Sequence, residues 1–216
     1  MTAPLTLERP QLLTERVCER IREAIVKGQL KLGEQVSESQ LAARMEVSKT
    51  PVREALLRLK RDGLVEIHPQ RGTFVFRLDP GQVSHLCHYR EMMETAALRE
   101  AIEVDAGALA DDMAGYVARM AQAERDGDVL ALAQLDMEFH GLFFQHCRNR
   151  YLAAGYEVIR SQLLALRYRS PITNALSSHQ VLVDAVQQRD AALATRLLSQ
   201  HVLENEPRYR TACSVA

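Results

Sequence analysis

Residues 37–75 read SESQLAARMEVSKTPVREALLRLKRDGLVEIHPQRGTFV, and this stretch decides the architecture of the front of the chain. Ser37-Glu-Ser-Gln40 has the S-x-x-Q form of a capping box, which predicts a short helix running through Met45. The turn Glu46-Val47 follows. A further helix opens near Ser48-Lys49-Thr50-Pro51, where proline costs little because a first-turn amide has no intrahelical acceptor. Val52, Ala55, Leu56 and Leu59 recur at i, i+3, i+4 and i+7 and make its buried stripe. Thr50 and Arg53 lie off that stripe, and Lys49 lies near its edge. Gly63 closes the helix, after which Leu64–Ile67 and Thr73–Phe76 read as two strands joined by His68-Pro-Gln-Arg-Gly72. Upstream, Val17, Ile21, Ala24 and Ile25 hold helical spacing as far as Gly28 and predict a helix over 14–27. The order helix, helix, turn, helix, hairpin describes a winged helix-turn-helix.

Charge divides the chain at the same place. Residues 1–78 carry 14 Lys+Arg against 10 Asp+Glu, and residues 79–216 carry 13 against 18, although the whole chain is only -1. Ser48 to Arg61 concentrates Lys49, Arg53, Arg58, Lys60 and Arg61 against Glu54, a density that attracts phosphate. A solvated helix face is the plainer explanation of such charge taken alone. With the basic helix stands an Arg-Gly wing tip, and together they point to duplex DNA, a helix in the major groove and the wing against phosphate or the minor groove. The expected join is Arg77-Leu-Asp-Pro-Gly81, giving domains 1–78 and 79–216.

The rear portion predicts only helices, over about 82–101, 105–124, 128–147, 150–168, 173–188 and 190–206, with Asp128 and Asp190 as N-caps and Pro207 ending or kinking the last. The fold class is therefore mainly α, a winged helix-turn-helix followed by an antiparallel helical bundle with room for a site between its helices. Polar residues interrupt its apolar stripes. Asp136 and His140 share a face with Leu132, Phe139 and Phe143; His179 falls in line with Leu182, Val183 and Val186; His201 follows Leu197 and Leu198. Three imidazoles and a carboxylate suit a divalent ion such as zinc, nickel or manganese, and the ligand types do not choose among these. Each histidine taken singly is more often a hydrogen-bonded core residue than a ligand, and Asp136 has Arg148 and Arg150 as alternative partners. His85, Cys87 and His88 form a rival cluster beside the join.

Other classes are set aside by composition. No stretch is long and uncharged enough to span a membrane, MTAPLTLERP lacks the basic-then-apolar order of a secretory signal, and Cys18, Cys87, Cys147 and Cys213 are scattered without a C-x-x-C pair. A cytoplasmic protein with reduced thiols is expected.

The stretch LKLGEQVSESQLAARMEVSKTPVREALLRLKRDGLVEIHPQRGTFV, within a similarity covering about 13–75, resembles the GntR family of bacterial winged-helix repressors. The resemblance implies a homodimeric transcription regulator whose DNA contacts would come from Ser39, Ser48, Lys49, Thr50 and Arg53, with Gln70, Arg71 and Gly72 at the wing. Lys49 stands where arginine is commoner, and lysine offers a point charge rather than a fork to guanine. Ser39 stands where some members carry a basic residue. Further on, D-x-x-F-H at 136–140, N-x-Y-L at 149–152, S-H-x-x-L-x-x-A-V at 178–186 and a histidine 22 positions after His179 resemble the FCD ligand-binding domain of the FadR-like subfamily. This implies Asp136, His140, His179 and His201 as metal ligands, and six helices suggest the shorter, VanR-type branch.

A divalent ion with one carboxylate and three neutral imidazoles leaves the site positive, with open coordination positions, so an anion should enter. Arg90 shares the stripe Leu86, Met93, Ala97 and corresponds to a family arginine expected to hold an effector carboxylate; an i, i+4 bridge to Glu94 is the alternative. The expectation is a non-enzymatic repressor that binds a near-palindromic operator as a homodimer and responds to a small organic acid. The competing readings are a metal-dependent enzyme in the helical half and a protein-interaction adaptor whose winged helix does not bind DNA.

Overall fold

The stripe of residues 52–59 folds as its spacing demands. In a computed structural model of the chain, which describes residues 13–170 and 175–214, α3 (Lys49–Arg61) buries Val52, Ala55, Leu56 and Leu59 together with Pro51. The chain divides into two compact units, Met1–Phe76 and Arg77–Ala216. In the first, α1 (Leu13–Val26) packs its Val17, Ile21 and Ile25 on α3, and α2 (Glu38–Arg44) packs on α3 as well. Two strands, β2 (Val65–His68) and β3 (Gly72–Val75), pair antiparallel with Val65 opposite Val75 and His68 opposite Gly72. The strands are displaced by one residue from their expected limits, because the tight turn at 69–71 brings His68 and Gly72 into the ladder.

Two local expectations are corrected. A further strand, β1 (Gln35–Val36), pairs with the free edge of β3, so the sheet order is β1-β3-β2. Ser37 is the N-cap of α2 but makes no side-chain cap bond; the pairing of Val36 with Thr73 already directs the chain into the helix. The reciprocal box forms at Asp79 instead, whose side chain accepts from Gln82 N at 2.8 Å while Gln82 Oε1 accepts from Asp79 N at 2.9 Å.

That box opens α4 (Pro80–Arg125), with Pro80 in the first turn rather than in a break before the helix. Two helices were expected here, and their boundary survives as a kink: Asp105 leaves the helical region (φ -163, ψ 90) and its Oδ1 accepts from Ala108 N, restarting the helix. Asp128 and Asp190 cap α5 (Val129–His146) and α8 (Ala191–Leu203) through Ala131 N and Leu193 N. Between them lie α6 (Arg150–Arg169), capped by Asn149, and α7 (Ala175–Gln187). The expected helix start at 173 and the residues MTAPLTLERP lie outside the described residues.

Pro207 does not end the final helix but sits in the first turn of another, α9 (Glu206–Ser214), where its missing N–H is no loss. With α4 counted as two at Asp105, the described residues hold seven helical segments in this unit, and the count no longer argues for the shorter branch. α4 packs on α5, α7 and α8, while α9 rests on α4 and α6. No helix among the described residues is long and apolar enough to cross a membrane.

Candidate functional site

On the first unit, the residues proposed to meet DNA share one property: Ser39, Ser48, Lys49, Thr50, Arg53, Gln70, Arg71 and Gly72 are all exposed. The stripe that buries one side of α3 leaves Lys49, Thr50 and Arg53 outside, beside the first-turn amides that favour an anion. Ser48 is the N-cap without a side-chain cap bond. Arg53 is pre-oriented by Glu38 of α2: Nε donates to Oε1 and Oε2 at 3.1 Å, and Nη2 to Oε2 at 2.8 Å. This fork holds the Glu38 carboxyl below its usual range. At the wing tip Gln70 (φ 63) and Gly72 (φ 110) take left-handed backbone, and a Cβ on Gly72 would come within 2.7 Å of Gln35 Nε2. Glycine there keeps the tip thin.

In the second unit the polar residues converge. One ligand atom from each of Asp136, His140, His179 and His201 lies within 4.8 Å of the others, and three of these residues are buried, His201 being half-buried. α5 supplies Asp136 and His140 at i, i+4, α7 supplies His179 and α8 supplies His201. His179 Nε2 is 3.0 Å from Asp136 Oδ1, and the Nε2 atoms of His140 and His201 are 3.2 Å apart. Phe139 and Phe143 wall the cluster with edge contacts to the imidazoles.

The donor set fits a divalent ion. Burial pushes His140 down to about 4, against the opposing pull of Glu94, and pushes His201 well below its ordinary value, so both rings are neutral, as ligands must be. Burial would raise Asp136, yet Arg167, His179 and His140 hold its carboxyl well below the usual range. Two imidazole nitrogens facing each other across 3.2 Å, with a buried carboxylate beside them, gather electron pairs where a cation would sit.

Around this cluster lies a layer that sequence reading did not assemble. Glu94 Oε2 is 2.8 Å from His140 Nδ1, the nitrogen turned away from the cluster, and Arg90 Nε donates to Glu94 Oε1 at 2.7 Å. The i, i+4 bridge weighed against effector binding at Arg90 therefore forms, while Arg90 Nη1 still faces the Tyr209 hydroxyl at 3.4 Å. Asp136 takes neither Arg148 nor Arg150: Arg167 Nε stands 2.5 Å from its Oδ2 as an ion pair without hydrogen-bond alignment. Arg167, Tyr156 and Tyr209 are fully or almost fully buried. Each helix of the unit contributes a polar group. Arg167 carried a signal, since it stands among Ile159, Leu163 and Leu166 where an apolar residue belongs. The rival cluster is not brought together: Cys87 points inward, whereas His85 and His88 are exposed.

The model for bacterial regulatory proteins of the gntR family matches residues 13–75, and that for the FCD domain matches residues 85–204. The chain belongs to the GntR family. This GntR protein is 32% identical, over 85% of its length and 79% of the relative's, to an HTH-type transcriptional regulator in an unstable DNA locus of Streptomyces ambofaciens. It is 27% identical, over 94% of its length and 92% of the relative's, to the transcriptional repressor RspR of Escherichia coli. A GntR transcriptional regulator from Rhodococcus sp. RHA1 shares the fold, with a TM-score of 0.75 at 21% identity over 91% of this chain and 96% of the other. The chain is a DNA-binding transcriptional regulator, in a family of regulators rather than enzymes.

Proposed function

We propose that the chain is a cytoplasmic, homodimeric repressor whose operator affinity falls when a small organic acid binds at an ion-containing pocket in its rear domain. The carrying observation is the meeting of Asp136, His140, His179 and His201 from three helices in one buried cluster, in a chain that also presents a basic recognition helix. The domains are 1–78 for DNA and 79–216 for sensing and dimerisation. Ser39, Ser48, Lys49, Thr50 and Arg53, with Gln70, Arg71 and Gly72 at the wing, meet the operator. Phosphate contacts supply affinity, while Thr50, Arg53 and the wing set register. A near-palindromic site follows from two-fold symmetry, with half-sites in successive major grooves.

Support for the dimer comes from exposed Met92 on α4 and exposed Tyr151 and Val158 on α6. The two helices pack closely at Gly155, where a Cβ would come within 2.6 Å of Met93 Cε. Asp136, His140, His179 and His201 hold the divalent ion, which supplies positive charge and open coordination positions for a carboxylate. Glu94 fixes the ring of His140 from behind, as carboxylates behind ligating histidines do, and Arg90, whose Nε holds Glu94 and whose Nη1 faces the Tyr209 hydroxyl, is the arginine assigned to the effector carboxylate. A ligand shifts the dimer only through unequal affinity for its states, so effector binding must favour a different half-site spacing.

Fluorescence anisotropy with fragments of the chain's own promoter tests this reading. Binding at low ionic strength, weakened by an organic acid in wild type but not in a variant lacking all three histidines, is the expected result. A chain indifferent to every promoter fragment would overturn the DNA half. Equal responses of wild type and the triple variant would overturn the sensor half.

A further inference from the structure

We propose that the effector is a dianion, such as a short dicarboxylate, and that Arg167 and Tyr156 form the subsite for its second negative group. The inference rests on the ion-site reading above and deepens it.

The first argument is charge. Asp136 is not the only buried charge in the cluster: Arg90, Glu94 and Arg167 are each 0% exposed and Asp136 is 2% exposed. They form two contact pairs, Arg90 with Glu94 and Arg167 with Asp136, which cancel. The three imidazoles are neutral when ligating. A divalent ion therefore leaves a net +2 in an interior walled by Phe139 and Phe143, because Arg167 cancels the carboxylate of Asp136 that would otherwise offset part of the ion's charge. Uncompensated charge in such surroundings is strongly disfavoured. A monocarboxylate offsets half of it, and a dicarboxylate offsets all.

The second argument is geometry. Arg167 has only part of its donor edge in use: Nε lies against Asp136, Nη1 lies against the Met137 sulfur, a poor acceptor, and Nη2 has no acceptor among the described residues. The Tyr156 hydroxyl is equally buried and faces the Arg167 guanidinium, with no aligned acceptor for its own proton among the described residues. Buried donors are almost always satisfied, and a guanidinium N–H next to a phenol O–H is a carboxylate's complement. Arg90 and Tyr209 stand close by, so the fold holds two guanidinium groups near each other without placing a protein carboxylate on the open edge of Arg167. Asp136 links the two parts, with Oδ1 facing the histidines and Oδ2 facing Arg167. One carboxylate of the effector would reach the ion and the other the Arg167–Tyr156 corner.

The test is calorimetric titration of the full chain loaded with zinc, using malonate, succinate and glutarate against propionate, butyrate and valerate. The best diacid should bind at least about tenfold tighter than the best monoacid. Tyr156→Phe should remove about tenfold of the diacid affinity, the scale of one charge-assisted hydrogen bond, while leaving monoacid and zinc affinities unchanged. Monoacids binding as tightly as diacids, with both requiring zinc, would overturn the dianion and leave the anion-sensor reading standing. Equal weakening of both acid classes by Tyr156→Phe would overturn the subsite. No acid binding to the zinc-loaded chain would overturn the sensor reading itself and this inference with it.

Discussion

The two units treat charge in opposite ways. On the front unit Lys49, Arg53 and Arg71 are exposed, and the one aligned fork among them, Arg53 with Glu38, lies in water. In the rear unit Arg90, Glu94, Asp136 and Arg167 are withdrawn from solvent and paired, Arg90 with Glu94 along α4 and Arg167 with Asp136 between α6 and α5. An exposed charge is solvated before and after folding, so the front unit's binding is separable from its stability. A buried charge must be compensated by the fold, so in the rear unit a change of ion, anion or partner group is also a change in packing energy. That coupling is what a sensor requires.

The separation can be tested most severely at Glu94. Glu94→Ala leaves Arg90 without its carboxylate and His140 without its Nδ1 neighbour, and should cost about 3–5 kcal/mol. Denaturant unfolding of the full chain measures it, and a loss under about 1 kcal/mol would put this cluster on a level with a surface pair. Next comes removal of the ion. Chelation should lower stability by about 2.7 kcal/mol relative to protein with free ion at 100 times its dissociation constant, read by scanning calorimetry. The chelated chain should also be acid-sensitive. Burial lowers His140 from 6.5 to about 4, so the stability of its neutral ring is intact above 6.5 and is lost as pH falls from there towards 4. Melting curves across that window check the sign.

The smallest effects on stability belong to the front. Arg53→Ala should weaken operator binding by about 1–3 kcal/mol and Lys49→Ala should reduce the salt slope by about 1, each with a stability change within about 0.5 kcal/mol. Anisotropy at several salt concentrations, with parallel melts, sharpens the contrast. If Arg53→Ala unfolded the chain as Glu94→Ala is expected to, the separation would fail.

Much of the front unit was legible because its signals are local. The stripe Val52, Ala55, Leu56, Leu59 and the glycines at 28 and 63 act within a turn or two of themselves. β1 escaped notice because Gln35–Val36 is too short to show alternation, and only pairing with β3 makes it a strand. In the rear unit, Asp136 and His140 were legible as one helical face, and His179 and His201 as polar interruptions of apolar stripes. Pro207 misled, since a proline that terminates one helix is equally suited to the first turn of the next, and the intervening residues do not say which.

The order of elements, the outward face of the recognition helix and the inward direction of four candidate ligands follow from periodicity, which each segment carries in itself. That those four meet within 4.8 Å, that Glu94 backs His140, and that Arg167 rather than Arg148 or Arg150 answers Asp136 were decided by the packing of α4 to α9. A helix fixes the direction of its side chains along its own axis, but the distance between groups on different helices exists only once those helices are packed.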